Sequence, residues 1–154
     1  MKIVKSLSVL AAFALGLPGV ALANACILTP AEVQTAIGRA FSAGQESKAV
    51  DGSAVCSYAE VAFPKRRLVI NVVDSKGKVR FDSAKRLLKM SNKPIDLAGV
   101  GDAAYFNGTS AGVLSGDKYI AFSGLKPAPG SKPSHAAPEQ IVALLQAALG
   151  HLPK

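Results

Sequence analysis

Apolar residues along this 154-residue chain switch between helical and strand spacing. In TPAEVQTAIG, Val33, Ala36 and Ile37 fall on one helical stripe. Thr29 is placed to cap the free amides, Pro30 suits the first helical position, and Glu32 completes a Thr-x-x-Glu capping box. Gly38 is placed to end that helix. AVCSYAEVAF (54–63) and RRLVINVVDS (66–75) then have period two, with Pro64 and Lys65 as the turn between them. In the second, Leu68, Ile70 and Val72 share one face, while Val69, Asn71 and Val73 share the other. GKVRFDSAKRLLKM (77–90) returns to helical spacing: Phe81, Ala84 and Leu88 predict a buried stripe flanked by Leu87, and Asp82, Lys85, Lys89 and Lys93 a solvated one.

The last third holds three short strand candidates, DAAYFNG, AGVLSGD and KYIAFSG. Asn107-Gly108 predicts a type I′ turn between the first two, and Gly116-Asp117 a type II′ turn between the second pair. A loop rich in Pro, Ser and Gly follows (126–139), and Ile141, Leu144, Leu145, Ala148 and Leu149 mark a closing amphipathic helix. The order is helix, strands, helix, strands, helix, which hints at one helix–strands unit used twice, without a residue-level repeat. Short hairpin turns imply an antiparallel sheet. The expected class is therefore α+β, with the helices packed on one face of the sheet.

The first residues read as a secretory signal. Lys2 and Lys5 precede an apolar run broken by Pro18 and Gly19, and the A-x-A cleavage pattern occurs as Ala21-Leu22-Ala23 and as Ala23-Asn24-Ala25. A membrane anchor needs about 20 unbroken apolar residues, usually with basic flanks, and here no basic residue follows until Arg39. Residues 1–25 are thus read as a signal peptide, cut after 23 or 25 and contributing nothing to the folded core. No second long apolar run follows, so no transmembrane segment is expected in the mature chain.

Downstream of the leader the cysteines are Cys26 and Cys56. Two cysteines in an exported domain most economically form one disulfide. Its closed loop of about 31 residues is worth roughly 3–4 kcal/mol in the chain-entropy model. A lipid anchor on Cys26 is the rival. It calls for a large aliphatic residue three positions upstream, where Ala23 stands instead, with Leu22 one place too early; it also leaves Cys56 alone. A reactive thiol is the third reading, but His135 and His151 both lie at the far end of the chain. The expectation is a single disulfide-stapled domain over 26–154, with a membrane-anchored lipoprotein of the same fold as the alternative.

Several short motifs occur in a fixed order: C-x-L-T-x-x-E-V from Cys26 to Val33, C-S-Y from Cys56 to Tyr58, FDSAKR from Phe81 to Arg86, GVGDAAYF from Gly99 to Phe106 and SGDKYIAFS from Ser115 to Ser123. In this the chain resembles a domain-of-unknown-function family of secreted proteins and lipoproteins best known from actinobacterial cell envelopes. The resemblance implies an α+β envelope domain with a cysteine before the first helix and another in an early strand, the places of Cys26 and Cys56. Lipidated members generally carry a separate anchoring cysteine further upstream, and this chain has none there. No activity comes with the resemblance.

Candidate chemistry is sparse. GVGDAAYF lacks a third glycine and leads into a strand, so it reads as a tight loop with Asp102 capping the turn, not as a phosphate cradle. Neither histidine has a ligand partner at metal spacing, and no nucleophile with a base and an orienting group is visible. No catalytic, cofactor-binding or metal residue is assigned, and no cofactor is expected. Charge adds one feature. The formal net charge is +8. Between Lys65 and Lys93 stand ten basic residues (Lys65, Arg66, Arg67, Lys76, Lys78, Arg80, Lys85, Arg86, Lys89 and Lys93) against Asp74 and Asp82 alone. Such a segment attracts anionic surfaces or polymers, with binding that weakens in salt. Only Phe81 interrupts it, so the stacking aromatics of a nucleic-acid reader are missing. The sequence therefore suggests a non-catalytic binding or accessory domain of the bacterial periplasm or envelope. Lys65, Arg66, Arg67, Lys78, Lys85 and Lys89 form its expected surface for an anionic envelope component or an acidic protein. A merely solvated helix face is the plainer reading of the same charges, and an enzyme with an unrecognised site the remaining alternative.

Overall fold

The chain is described here by a computed structural model covering residues 24–91, 93–130 and 136–152. The leader up to residue 23 lies outside the described residues, as does His135. Thr29 starts the first helix as its sequence predicts. Its hydroxyl accepts the Glu32 N–H at 3.2 Å, and Glu32 Oε2 accepts the Thr29 N–H at 2.7 Å. Pro30 opens α1 (Pro30–Ile37), and Gly38 closes it with φ 70°. Both ends match the sequence because capping is a local interaction.

Seven strands form one antiparallel sheet: β1 (Gln45–Lys48), β2 (Ala54–Ala59), β3 (Arg67–Val73), β4 (Ile95–Asp96), β5 (Ala103–Phe106), β6 (Ser110–Ser115) and β7 (Lys118–Ser123). Their spatial order is β1-β2-β3-β7-β6-β5-β4. Helix α2 (Gly77–Ser91) connects β3 to β4, and α3 (Pro138–Gly150) follows β7. Two edge strands lacked a sequence signal. β1 reads QESK and is exposed throughout, while β4 is only two residues long. Both are held by pairing to a neighbour, not by apolar alternation. β2 ends at Ala59 and does not run on to 63. Glu60 N–H bonds the Arg66 carbonyl and Arg66 N–H that of Phe63, so the chain turns early and leaves Val61 and Phe63 exposed.

The turns differ in detail from expectation. Asn107 precedes the turn, and its Oδ1 accepts the Ser110 N–H at 2.7 Å and the Thr109 N–H at 3.1 Å. The central residues are therefore Gly108 and Thr109, with positive φ at Gly108 only. That is the II′ pattern, not I′. Gly116-Asp117 follows its expected II′ pattern, with positive φ at Gly116. Gly99 and Gly101 both have positive φ, as the tight-loop reading of GVGDAAYF requires. Asp102 caps the β6–β7 turn, accepting the Gly116 N–H at 2.6 Å.

The α+β class holds, but the helices do not share one face. Leu68, Ile70, Val72, Ile120, Phe122 and Val113 point to a core closed by Val33 and Ile37 of α1 and by Ile141, Leu144, Leu145 and Ala148 of α3. The alternate residues Tyr105, Leu114 and Tyr119 point the other way and meet Phe81 of α2. The sheet is apolar on both sides and needs cover on both. This also removes the hint of a duplicated unit. A rotation exchanging β3 with β7 about an axis normal to the sheet would leave α1 and α2 on one side, whereas they lie on opposite sides.

α2 is held at its start. Gly77 N–H donates to the Asp117 carbonyl at 2.8 Å, and Asp117 Oδ2 accepts the Lys76 N–H at 2.9 Å. A Cβ on Gly77 would fall 2.7 Å from the Lys118 carbonyl carbon, so glycine allows the helix to sit directly on the β6–β7 turn. The approach leaves Lys76 left-handed, at φ 58°. Beyond that point, Phe81 packs against the Tyr105 and Tyr119 rings at 5.4 and 5.8 Å, while the two tyrosine hydroxyls bond each other at 2.7 Å. Burial pushes both phenols up in pKa.

Cys26 and Cys56 form a disulfide, with Cα atoms 5.0 Å apart, tying the segment before α1 to β2. Ala25 beside it is fully buried, so of the two expected boundaries the one after 25 would cut into the core and the one after 23 would keep this residue. Gly44 passes against the bridge: a Cβ there would lie 2.8 Å from Cys26 Sγ and 2.9 Å from Tyr58 Cε1. Tyr58 in turn donates its hydroxyl to the Leu28 carbonyl at 2.7 Å.

Replacing both cysteines by serine should lower unfolding free energy by about 3 kcal/mol in urea titration. Gly44→Ala should lower it by about 1–3 kcal/mol through overpacking. Its penalty should shrink in the serine background, where the two sulfurs no longer fix the space; an unchanged penalty would locate the clash elsewhere. A second expectation concerns acid. The Thr29 N–H, then His151 at 2.6 Å, hold the Glu32 carboxyl down from 4.5 to about 2. Its contribution to stability is complete above pH 4.5 and is lost as pH falls towards 2. The stability difference between wild type and Glu32→Gln should therefore narrow across that window in acid titrations followed by circular dichroism.

Candidate functional site

α2 sits over β5, β6 and β7, with Val73 of β3 packed against the same cluster, while Val55, Ser57 and Ala59 of β2 and Val69 and Asn71 of β3 lie on the same side of the sheet without a helix above them. Between the helix and this open half runs a groove of about 400 Å³. Ala84, Leu87 and Leu88 form its helical wall, and Val69, Asn71 and Ala121 part of its floor. The Asn71 Oδ1 is shielded from solvent and meets no protein donor, so the groove contains a desolvated hydrogen-bond acceptor. Asn71 had a trace in the sequence, as the one polar residue among the apolar positions of RLVINVV, but strand period alone does not show whether an amide finds a partner.

The six basic residues expected to act together are not brought into one cluster. Arg66 is turned to the α1 side. Its Nε donates to the buried Glu60 carboxylate at 3.3 Å, which Arg39 also contacts at 3.1 Å, and its Nη2 donates to the Lys126 carbonyl. This is a structural ion triad. Arg67, the next residue, faces the α2 side and donates to Ser57 Oγ at 3.3 Å. Lys65 lies exposed in the turn before them. Lys78 pairs with Asp82 at 3.0 Å near the start of α2. Lys85 pairs with Asp96 of β4 at 2.5 Å and lies 6.0 Å from the centre of the Phe81 ring. Lys89, Arg86 and Lys93 are exposed and pair with no acid among the described residues. The partners Glu60, Asp51 and Asp96 lie just outside the basic segment in sequence, which is why its charge looked unopposed.

A second cleft, of about 320 Å³, lies at the opposite end of the sheet, beside the start of α2. Lys48, Lys76 and Arg80 line it together with Asp51 and Asp74, and Arg80 pairs with Asp51 at 2.8 Å. Its two carboxylates offset most of its positive charge. Among the described residues no three His, Cys, Asp or Glu side chains gather as a metal site, and no helix is long and apolar enough to cross a membrane. His151 serves to link α3 to Glu32 of α1. Comparison with protein-family models, with curated proteins and with solved structures returned no match.

Asn71→Leu should raise unfolding free energy by about 1 kcal/mol, because it removes a desolvated acceptor and adds apolar contact in the groove. Urea titration measures this; a clear loss of stability would mean that the amide has a favourable role in the folded chain.

Proposed function

We propose that this chain is an exported bacterial domain of the periplasm or cell envelope. In this reading it binds an anionic partner through the outer surface of α2 and catalyses no reaction. The observation that carries the reading is the charge state of that helix and its exit. Lys78, Arg80 and Lys85 have acid partners, but exposed Arg86, Lys89 and Lys93 have none among the described residues. The surface expected from sequence thereby contracts to the second half of α2, with Arg66 withdrawn into the ion triad. A cationic surface of this kind attracts anionic groups at a range set by salt.

Export is supported by the signal-like leader and by the disulfide, which suits an oxidising compartment. The same bond engages the Cys26 sulfur that a thioether-linked lipid would need, which favours the unlipidated form over the lipoprotein. The burial of Ala25, with the Cys26 N–H donating to Asn24 Oδ1 at 2.8 Å, favours a mature chain beginning at Asn24 over one beginning at Cys26.

The test is retention on a dextran sulfate matrix under a salt gradient. Arg86→Glu with Lys89→Glu should elute at clearly lower salt than wild type. Lys48→Glu with Lys126→Glu, an equal change of net charge away from the second half of α2, should elute much closer to wild type. Equal loss in both double variants would reduce the effect to net charge and remove the case for a binding surface on α2.

A further inference from the structure

α2 carries two apolar stripes, and only one of them faces the sheet. Gly77, Phe81, Ala84 and Leu88 form the inner stripe. Val79 and Met90 lie on the outer side and Leu87 between it and the groove, and they are 64%, 83% and 67% exposed. Their offsets of eight and eleven residues from Val79 bring them back to one side of the helix, with Ser83 between. Arg86 stands within this outer stripe, Lys78 and Lys89 on one flank, and Arg80 on the other. The helix thus presents large apolar side chains to solvent inside a frame of cations. Isolated exposed apolar residues are ordinary, but three on one helical stripe with cations on both sides match a surface that inserts shallowly among lipid headgroups.

We infer that the outer stripe of α2 docks on an anionic lipid bilayer, with Val79, Leu87 and Met90 entering the headgroup region and Arg86 and Lys89 meeting lipid phosphates. This rests on the anionic-partner reading above and commits it to one partner. A soluble polyanion would satisfy the cations but would leave the three apolar side chains without a role. A bilayer satisfies both, because its phosphates and its acyl boundary lie within one side-chain length of each other. Val79 and Met90 lie on the side of α2 away from the sheet and Leu87 at the lip of the groove, all three exposed, so docking requires no change in the fold.

The experiment uses protein recovered from an export-competent host with its disulfide formed. Co-sedimentation is measured with vesicles of phosphatidylcholine alone and of phosphatidylcholine mixed with phosphatidylglycerol. Wild type should bind the mixed vesicles and not the neutral ones. Leu87→Ser with Met90→Ser should bind mixed vesicles about tenfold more weakly while keeping wild-type retention on dextran sulfate. Arg86→Glu with Lys89→Glu should lose both, by at least about fivefold for each charge changed. All four positions are exposed, and matching thermal unfolding midpoints will show that the fold is intact. The chain contains no tryptophan, so Met90→Trp supplies a single reporter. Its emission should shift to the blue with mixed vesicles and be quenched by brominated lipid.

Retention on dextran sulfate without vesicle binding would overturn the bilayer proposal and leave the anionic-partner reading standing. Loss of both in wild type would overturn both. Full vesicle binding by the serine variant, or an unshifted tryptophan in bound protein, would show that nothing inserts and would also overturn the proposal.

Discussion

Leu68, Ile70 and Val72 of β3 point to one side of the sheet and Val69 and Val73 to the other, and β5 and β7 divide their side chains in the same way. Each side needs its own apolar cover, and three helices must supply both. α1 and α3 cover the first side as a pair, joined by the Glu32–His151 contact, with the disulfide tethering the chain just before α1 to β2. α2 covers the second side alone and packs mainly over β5, β6 and β7, with Lys85 reaching Asp96 of β4. The groove beside it, the desolvated Asn71 acceptor and the shallow burial of the helix all follow from covering a wide sheet with one helix. Of its fifteen residues only Gly77 and Phe81 are buried, so its position depends on the Asp117 cap and the three-ring contact more than on area.

Local interactions were legible in the sequence and long-range ones were not. The capping box of Thr29 and Glu32, the stop at Gly38 and the buried residues of the last helix depend on neighbours within four positions. The strands with apolar alternation were legible for the same reason. β1 was hidden because QESK has no apolar face, and it is a strand only where β2 offers an edge. The layer arrangement was half visible: RLVINVV shows two apolar faces, but hairpin turns alone pointed to an antiparallel sheet covered on a single face. The candidate surface was legible as charge and not as geometry. Adjacent Arg66 and Arg67 leave opposite sides of a strand, and the acids that neutralise part of the segment come from β4 and from the turns around β2. The outer stripe of Val79, Leu87 and Met90 could have been read from helical spacing, but its meaning appears only once Phe81 fixes which side of the helix is buried.

That division gives α2 two separable roles. Its inner stripe and glycine start belong to the fold, and its outer stripe and unpaired cations remain for contact with something else. Sequence change on the outer side is therefore nearly free of structural constraint, whereas Gly77 and Phe81 are fixed by what they touch. Gly44 is fixed in another way: it is small because the disulfide passes beside it, so the three positions 26, 44 and 56 are physically one unit.

The strand order also bears on how the chain assembles. β1-β2-β3 and β4-β5-β6-β7 are two runs of sequence-adjacent antiparallel strands, each formed through comparatively short connections. The seam between them pairs β3 with β7, where partners such as Val69 and Ser123 are about fifty residues apart. Hairpins close early and this seam closes late, since its loop entropy must be overcome before its contacts form. The disulfide joins the segment before α1 to β2 and does not shorten the loop that the seam must close. α1 and α3, from opposite ends of the described chain, can pack on a common face only after that seam exists. Joining the two halves is thus the step on which the folding rate of the whole domain turns.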